Sequence, residues 1–474
     1  MKTRITTLVI FFSLLLVSNS FSQENNFDLK GTWLGKLNIP GNTLRVVFNI
    51  AEENGHLKAT LDSPDQGVNG IPVSKIDVTK DSIELEVDRI GGLYQGKILA
   101  ESNEMDGIWK QGGGTLPLVM KKTEKAIEMP PRPQEPKKPY PYKSEDVKIP
   151  NKKANINLAG TLTLPDTGSN FTAVVLITGS GPQDRNETLM GHKPFLVLSD
   201  YLTRHGIAVL RCDDRGTGKS TGNFSTATTK DFETDALAEV EYLKTRPEIN
   251  PKKIGLIGHS EGGIIAPMAA VESSDVAFIV LLAGPGIKGD KLIDLQTKII
   301  LEKSGLGENY INNQEAFLEK IHKIIETEND SSKAVAMLNK AFDEYRSKLT
   351  DQEKEYPANT PKVFAETIKQ LMSPWYKFFI SYNPEPMLEK VKVPVLALNG
   401  SNDVHVPPKE NLSAIADALT KGGNDNFEIV ELPKLNHLFQ TSESGLPAEY
   451  GKIEETFAPV ALKTITNWIL TVIN

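Results

Sequence analysis

The pentapeptide Gly258-His259-Ser260-Glu261-Gly262 sets a serine between two glycines. Ahead of it, Lys253-Ile254-Gly255-Leu256-Ile257 reads as a short buried strand. Behind it, the small apolar run from Gly263 to Ala270 reads as a helix packed on a sheet. Strand, sharp turn and helix form the context that makes G-x-S-x-G a nucleophile elbow. The glycines leave room for a strained turn that lifts a hydroxyl into the open. The helix N-terminus supplies N–H groups and a dipole that favour developing negative charge. Ser260 is the expected nucleophile.

A serine hydroxyl needs a base, normally a histidine held by a carboxylate. The chain has seven histidines. His56 falls in an N-terminal β region and His322 in a helical insert. His205 follows a helix that precedes a strand, which puts it at the far edge of the sheet. His259 adjoins the nucleophile and is expected to point the other way around the turn. His192 follows an early strand and is within reach, but with an elbow of this kind the base comes last in the chain. His405 stands two residues from the best acid, too close for both to line up with Ser260, and reads as a rim or solvated residue. That leaves His437, in Leu435-Asn436-His437-Leu438-Phe439, on the loop after the last strand.

The expected acid is Asp403. It ends the turn Asn399-Gly400-Ser401-Asn402-Asp403 that leaves the strand Val395 to Leu398. A carboxylate there can accept the imidazole N–H and fix its tautomer. Glu410 and Asp425 compete from helix and turn contexts. The oxyanion needs two donors. One is expected from the Glu261 backbone N–H. The other is expected from Thr178-Gly179-Ser180-Gly181-Pro182, with Ser180 favoured and Gly181 the neighbouring option.

The elements that must position these residues follow from periodicity. From Phe27 to about Lys122, alternation at Leu44, Val46, Phe48 and Ile50, and again at Ile83, Leu85 and Val87, predicts antiparallel strands with one buried face. Asn54-Gly55 and Gly91-Gly92 mark turns. The reading is a small all-β barrel-like domain over 23–125, with Trp33 and Trp109 as core plugs. The proline run Pro130 to Pro141 predicts a semi-rigid linker over 126–142. From 143 to 474, strands apolar throughout alternate with helices, as in a parallel sheet covered on both faces. About 110 residues separate the strand ending at Leu282 from the one starting at Val393, far more than a crossover needs. This helical insert, about 288–389, is expected to cap the carboxyl edge, where ligands bind. Trp375, Tyr376, Phe378 and Phe379 are the expected substrate-pocket wall.

The region from about Asn155 onward resembles the bacterial α/β-hydrolase esterases grouped with the serine aminopeptidase-like and dienelactone hydrolase-like families. The carrying residues are Leu158-Ala159-Gly160-Thr161-Leu162, Gly179 to Arg185, Asp214-Arg215-Gly216-Thr217-Gly218-Lys219-Ser220, Gly258 to Gly263, Ser373-Pro374-Trp375 and Leu435-Asn436-His437. The resemblance implies an α/β-hydrolase fold with a cap, and the chain order Ser260, Asp403, His437. It does not cover the N-terminal β region. Gly218-Lys219-Ser220 mimics the end of a phosphate-binding loop, but Asp213 stands where that motif requires glycine.

The first 22 residues read as a signal peptide: Lys2 and Arg4, the apolar run Leu8 to Val17, then Ser20-Phe21-Ser22. The alternative is an uncleaved anchor. Export to the periplasm or beyond, with no stable membrane anchor after cleavage, is expected. The single cysteine, Cys212, reads as a packing residue. A net charge of −8 argues against nucleic acid as partner. No spacing suggests a metal, and no cofactor is expected.

The sequence therefore predicts a serine hydrolase of small carboxylic esters acting through an acyl-enzyme. A serine exopeptidase on the same fold is the alternative, because the insert is rich in Glu that can capture an amine. A non-catalytic binding protein on a dead scaffold is a third reading. Oligomeric state is open.

Overall fold

The computed structural model describes residues 27–39, 42–66, 68–111, 114–124 and 130–473. The expected signal peptide and its cleavage site lie outside them. No described helix is long and apolar enough to cross a membrane.

The first sheet has nine strands: β1 (Gly31–Ile39), β2 (Asn42–Glu53), β3 (His56–Ser63), β4 (Val68–Pro72), β5 (Lys75–Val78), β6 (Ser82–Val87), β7 (Gly92–Leu99), β8 (Glu104–Gln111) and β9 (Gly114–Thr123). Their order is β4-β3-β2-β1-β9-β8-β7-β6-β5. Every pairing is antiparallel, and β1 against β9 joins the first and last strands in the middle of the sheet, with β4 and β5 at its edges. Period-two residues turn inward. Phe48 on β2 meets Tyr94 on β7 at 5.8 Å between ring centroids, although four steps separate the strands in the sheet. The sheet therefore curls around its own core of Trp33, Phe48, Tyr94, Trp109 and aliphatic neighbours.

The second sheet has eight strands: β10 (Tyr142–Asn151), β11 (Ile156–Pro165), β12 (Phe171–Ile177), β13 (Ile207–Cys212), β14 (Ile249–His259), β15 (Val276–Leu282), β16 (Val395–Gly400) and β17 (Phe427–Leu432). The order is β10-β11-β13-β12-β14-β15-β16-β17, antiparallel at the β10–β11–β13 side and parallel thereafter. Strand order reverses around β12, so the carboxyl ends of β12 and β14 open a crevice of the kind where α/β sheets bind ligands. Helices α1 (Pro194–Arg204), α2 (Thr229–Lys244) and α3 (Gly262–Glu272) follow β12, β13 and β14. One apolar cluster lies on each face of the sheet. This is the α/β-hydrolase fold. Cys212 is buried in the first of those clusters.

Between β15 and β16 run α4 (Gly289–Lys303), α5 (Glu308–Thr327), α6 (Ser331–Ser347), α7 (Asp351–Lys354), α8 (Pro361–Leu371), α9 (Pro374–Ser381) and α10 (Glu385–Leu388). Their apolar faces mostly meet one another: Phe317, Ile321, Leu338, Phe342, Tyr345 and Phe364 form a core of the insert's own. Helices α11 (Pro408–Lys421), α12 (Pro447–Tyr450) and α13 (Pro459–Val472) complete the chain.

The proline-rich stretch, expected to be a spacer, is fastened to the second unit. Arg132 donates to the carbonyls of Gly451 at 2.8 Å and Ile453 at 2.7 Å. Gln134 donates to the Phe457 carbonyl and accepts from the Thr456 N–H. Prolines leave this segment without its own ladder, so its polar side chains pair with the main chain of the 450–457 loop.

Candidate active site

Ser260 has φ 53°, a left-handed angle that few non-glycine residues adopt. The elbow holds it there. The Ser260 N–H donates to the Leu282 carbonyl at 2.8 Å, and the Gly263 N–H donates back to the Ser260 carbonyl. A Cβ on Gly258 would overlap the Gly262 carbonyl oxygen, and one on Gly262 would overlap the Ile177 carbonyl oxygen. Glycine at both positions is therefore steric necessity. Gly179 also presses against Ser260: a Cβ there would lie 3.1 Å from Ser260 Cβ.

Asp403 and His437 sit on adjacent loops at the same sheet edge. His437 Nδ1 lies 2.8 Å from Asp403 Oδ2. The other oxygen, Oδ1, accepts the N–H groups of His405 at 2.8 Å and Val406 at 2.9 Å. The two loops approach closely because Gly400 carries no Cβ, which would overlap the Leu435 carbonyl oxygen. The loop carrying His437 is braced from inside: the buried Asn436 side chain accepts the N–H groups of Leu438 and Gln440.

The N–H groups of Ser180, Gly181 and Glu261 have no acceptor among the described residues. Gly179 differs; its N–H donates to Glu187 Oε1 at 2.8 Å. The loop carrying Ser180 is fixed by two successive aspartates after β13. Asp214 accepts from Thr178 Oγ1 at 2.7 Å and from the Gln183 N–H at 2.8 Å. Burial pushes its carboxyl up to about 8. Asp213 accepts from the Arg185 backbone and guanidinium and from the Lys219 N–H. Asp213 and Asp214 thus brace the loop carrying Ser180.

The histidines set aside in the sequence are mostly not solvated. His259 does not turn away from the site. Its Nδ1 lies 2.8 Å from Glu187 Oε1, its Nε2 lies 2.9 Å from the His437 carbonyl oxygen, and its ring centre is 4.8 Å from that of His437. His405 is tucked in, with its ring 4.9 Å from His437. Burial, and then the neighbouring His437, push it down to about 4. His192 is fully buried between Thr456 Oγ1 and the Tyr450 carbonyl, both at 2.9 Å. Glu187 was not picked out from the sequence; it pairs across 72 residues with His259, and only its own left-handed φ of 53° singles it out.

The insert reaches the elbow through one side chain. The Trp375 indole N–H is 2.9 Å from both carboxylate oxygens of Glu261, and Thr229 Oγ1 donates to the same group at 2.8 Å. Burial raises the Glu261 carboxyl above the ordinary range, against the pull of its hydrogen bonds from Thr229, Trp375 and Ser180. Phe379 stacks on Trp375 at 5.2 Å and is buried with Ile264 and Met268 of α3, Leu292 and Val406. Phe378, half-buried, stacks on Tyr382 at 5.5 Å at the edge of that cluster. Tyr376 turns into the insert's core, its hydroxyl 3.1 Å from His322 Nε2. Of the four aromatics, Trp375 and Phe378 are the more open. Among the described residues no cluster of three or more His, Cys, Asp or Glu is arranged to hold a metal.

A model of the X-Pro dipeptidyl-peptidase (S15) family matches residues 138–430, a span that includes Ser260 and Asp403 and stops short of His437. Esterase EstD of Thermotoga maritima is 26% identical over 296 residues, 62% of this chain. The chain spans 61% of the length of that relative. An uncharacterized 31.7 kDa protein from the traX-finO intergenic region of Escherichia coli is 22% identical over 287 residues, covering 60% of this chain and 90% of its own. Among solved structures, the Pyrococcus furiosus esterase Pf2001 aligns at a TM-score of 0.43 and 17% identity, covering 74% of this chain and all of its own. Est1E from Butyrivibrio proteoclasticus aligns at 0.40 and 18%, covering 69% and 99%.

Proposed function

We propose that this chain, which belongs to the X-Pro dipeptidyl-peptidase (S15) family, is a serine hydrolase of small carboxylic esters working through an acyl-enzyme. The observation that carries the reading is the 2.8 Å contact of His437 Nδ1 with Asp403 Oδ2, at the sheet edge where Ser260 is held at a left-handed backbone angle. Ser260 Oγ attacks the ester carbonyl as His437 Nε2 takes its proton, and Asp403 steadies the imidazolium. The oxyanion takes the N–H groups of Glu261 and Ser180, with Gly181 beside them. His437 returns the proton to the leaving alkoxide. Water, deprotonated by the same histidine, then releases the acid. EstD is named as an esterase, which agrees with ester chemistry here. We propose further that residues 1–22 are an export signal, that the mature chain works in the periplasm or outside the cell without a membrane anchor, and that Trp375, Tyr376, Phe378 and Phe379 border the acyl site.

A second reading rests on the family's own description: exopeptidase action on a peptide with a free amine. A panel of acyl esters of graded length run beside aminoacyl and X-Pro anilides separates the two. Ester turnover far above anilide turnover is expected. Anilide turnover that exceeds ester turnover would overturn the ester reading. A fluorophosphonate that fails to label Ser260 would overturn both and leave a binding protein.

A further inference from the structure

The two contacts of His259 bear on its ionisation. Nδ1 faces Glu187 Oε1 at 2.8 Å and Nε2 faces the His437 carbonyl oxygen at 2.9 Å. A carbonyl oxygen only accepts. Glu187 Oε1 already accepts the Gly179 N–H at 2.8 Å, so the oxygen facing Nδ1 serves as an acceptor in this loop. Both ring nitrogens thus face oxygens that accept, and an imidazole that donates from both is an imidazolium. The surroundings agree. Burial opposes the charge on His259, but the Glu187 carboxylate, its hydrogen bond and the His437 carbonyl outweigh it and raise the group above its ordinary value. Asp403 adds to this from the acid loop. His437 and His405 face it from the catalytic and acid loops, and His405 is pushed down to about 4, in part by His259. Phe439 presents an apolar ring 6.4 Å away.

This one side chain joins three separate pieces. Gly179 belongs to the oxyanion loop, His259 to the strand end one residue before the nucleophile, and His437 to the catalytic loop. Accepting this charge is costly unless every contact is made, so the arrangement holds all three pieces or none. We propose that His259 is a buried imidazolium and a positioning residue. It clamps the oxyanion loop, through Glu187, and the catalytic loop, through the His437 carbonyl, onto the strand that presents Ser260. The proposal rests on the ester-hydrolase reading for its kinetic consequence but not for the ionisation itself. When His259 loses its proton as pH rises, one of its two acceptors is left unpaired in a buried site. Turnover should then fall on the alkaline side, because the clamp on both loops is released.

The test uses the full chain labelled with ¹⁵N-histidine. At pH 7 one histidine should show the paired imidazolium nitrogen shifts with two slowly exchanging ring protons, and the signal should vanish in His259→Gln. Glu187→Gln keeps the shape and removes the charge. It should move the loss of that signature down by about 2 pH units, lower kcat by about 10²-fold and leave KM within about threefold. If His259→Gln does not fold, the shift of the signal in Glu187→Gln supplies the assignment. A neutral tautomer at pH 7 in the wild type, or a Glu187→Gln protein with unchanged signature and unchanged kcat–pH profile, would overturn the proposal. Should the wild type turn over no ester, the ester reading falls and the ring signature still decides the state of His259.

Discussion

The two sheets bury their side chains in opposite ways. In the nine-stranded sheet, Ser63 is the one buried side chain of the polar or charged class among the described residues. The polar tips of its aromatics are satisfied close by: Trp33 Nε1 donates to the Leu29 carbonyl and Tyr94 Oη to the Met105 carbonyl. The eight-stranded unit buries Asp213, Glu187, Glu261, Asp403, His192, His259 and His437, most of them beyond the carboxyl ends of its strands. Burying an ionisable group is unfavourable unless it is paired, and such groups gather where chemistry needs shifted proton affinities. Among the described residues, one sheet buries almost only apolar side chains, and the other buries ionisable groups gathered mostly at one edge.

If that contrast is sound, substitutions at the edge should remove turnover and spare folding. Ser260→Ala is expected to lower ester turnover by about 10⁴-fold or more with an unchanged urea midpoint. Retention of a tenth of wild-type turnover would refute the assignment. Asp403→Asn should cost about 10⁴-fold by leaving His437 in the wrong tautomer. A loss under tenfold, with Glu410→Gln severe, would move the acid to Glu410.

The converse holds in the other sheet. Phe48 is fully buried against Tyr94 and Trp109. Phe48→Ala should destabilise that unit by about 3–5 kcal/mol while kcat toward a short ester stays within twofold. An equal loss of kcat at temperatures where the protein remains folded would mean that the two units share a site.

Acid should likewise single out the catalytic unit. Burial holds His192 neutral down to about 4, against an ordinary value near 6.5. The unfolded chain binds that proton first, so stability falls as pH drops from about 6.5 to about 4 and levels off below. The full loss from this one group is roughly 3 kcal/mol. Urea midpoints followed by enzyme activity should drop through that window, and His192→Gln should flatten the slope. A slope unaltered by the substitution would show that His192 does not carry the transition.

How much of this was legible depends on distance along the chain. The elbow is local: Gly258, Ser260, Gly262 and the strand before them lie within ten residues, so steric demands that act locally show in residue types. The apolar runs Ala173 to Ile177 and Ile279 to Leu282 announce buried strands for the same reason. His437 and Asp403 could be picked out because each lies on the loop leaving the carboxyl end of a strand, in the chain order that follows an elbow of this kind. The His259–Glu187 pair was not, since no local pattern links residues 72 apart. Nor was the orientation of α9. Its periodicity shows an apolar face, but Tyr376 and Phe379 face different clusters, and only the packing of α5 and α3 decides which. The proline run announces an absence of regular structure, yet nothing in Arg132 or Gln134 says that they pair with loop carbonyls more than 300 residues away.

The smallest expected effect tests the side of the comparison that packing alone does not explain, the insert. Its helices mostly bury one another, so few of their apolar residues remain for a ligand. Phe378 is half-buried, stacks on Tyr382 and borders the cluster that includes Ile264 and Met268 of the nucleophile helix. Removing its ring should enlarge or loosen an acyl site without moving Ser260 or the oxyanion donors. Apolar contacts of this kind discriminate chain length by roughly tenfold to a hundredfold. Phe378→Ala is therefore expected to change the ratio of kcat/KM between a long and a short acyl ester by about tenfold, with the rate of labelling by a small fluorophosphonate unchanged. Phe48→Ala, in the nine-stranded sheet, should leave that ratio where it was. If the long-to-short ratio follows Phe48 and ignores Phe378, chain length is read at the nine-stranded sheet, and its apolar interior has a role beyond holding itself together.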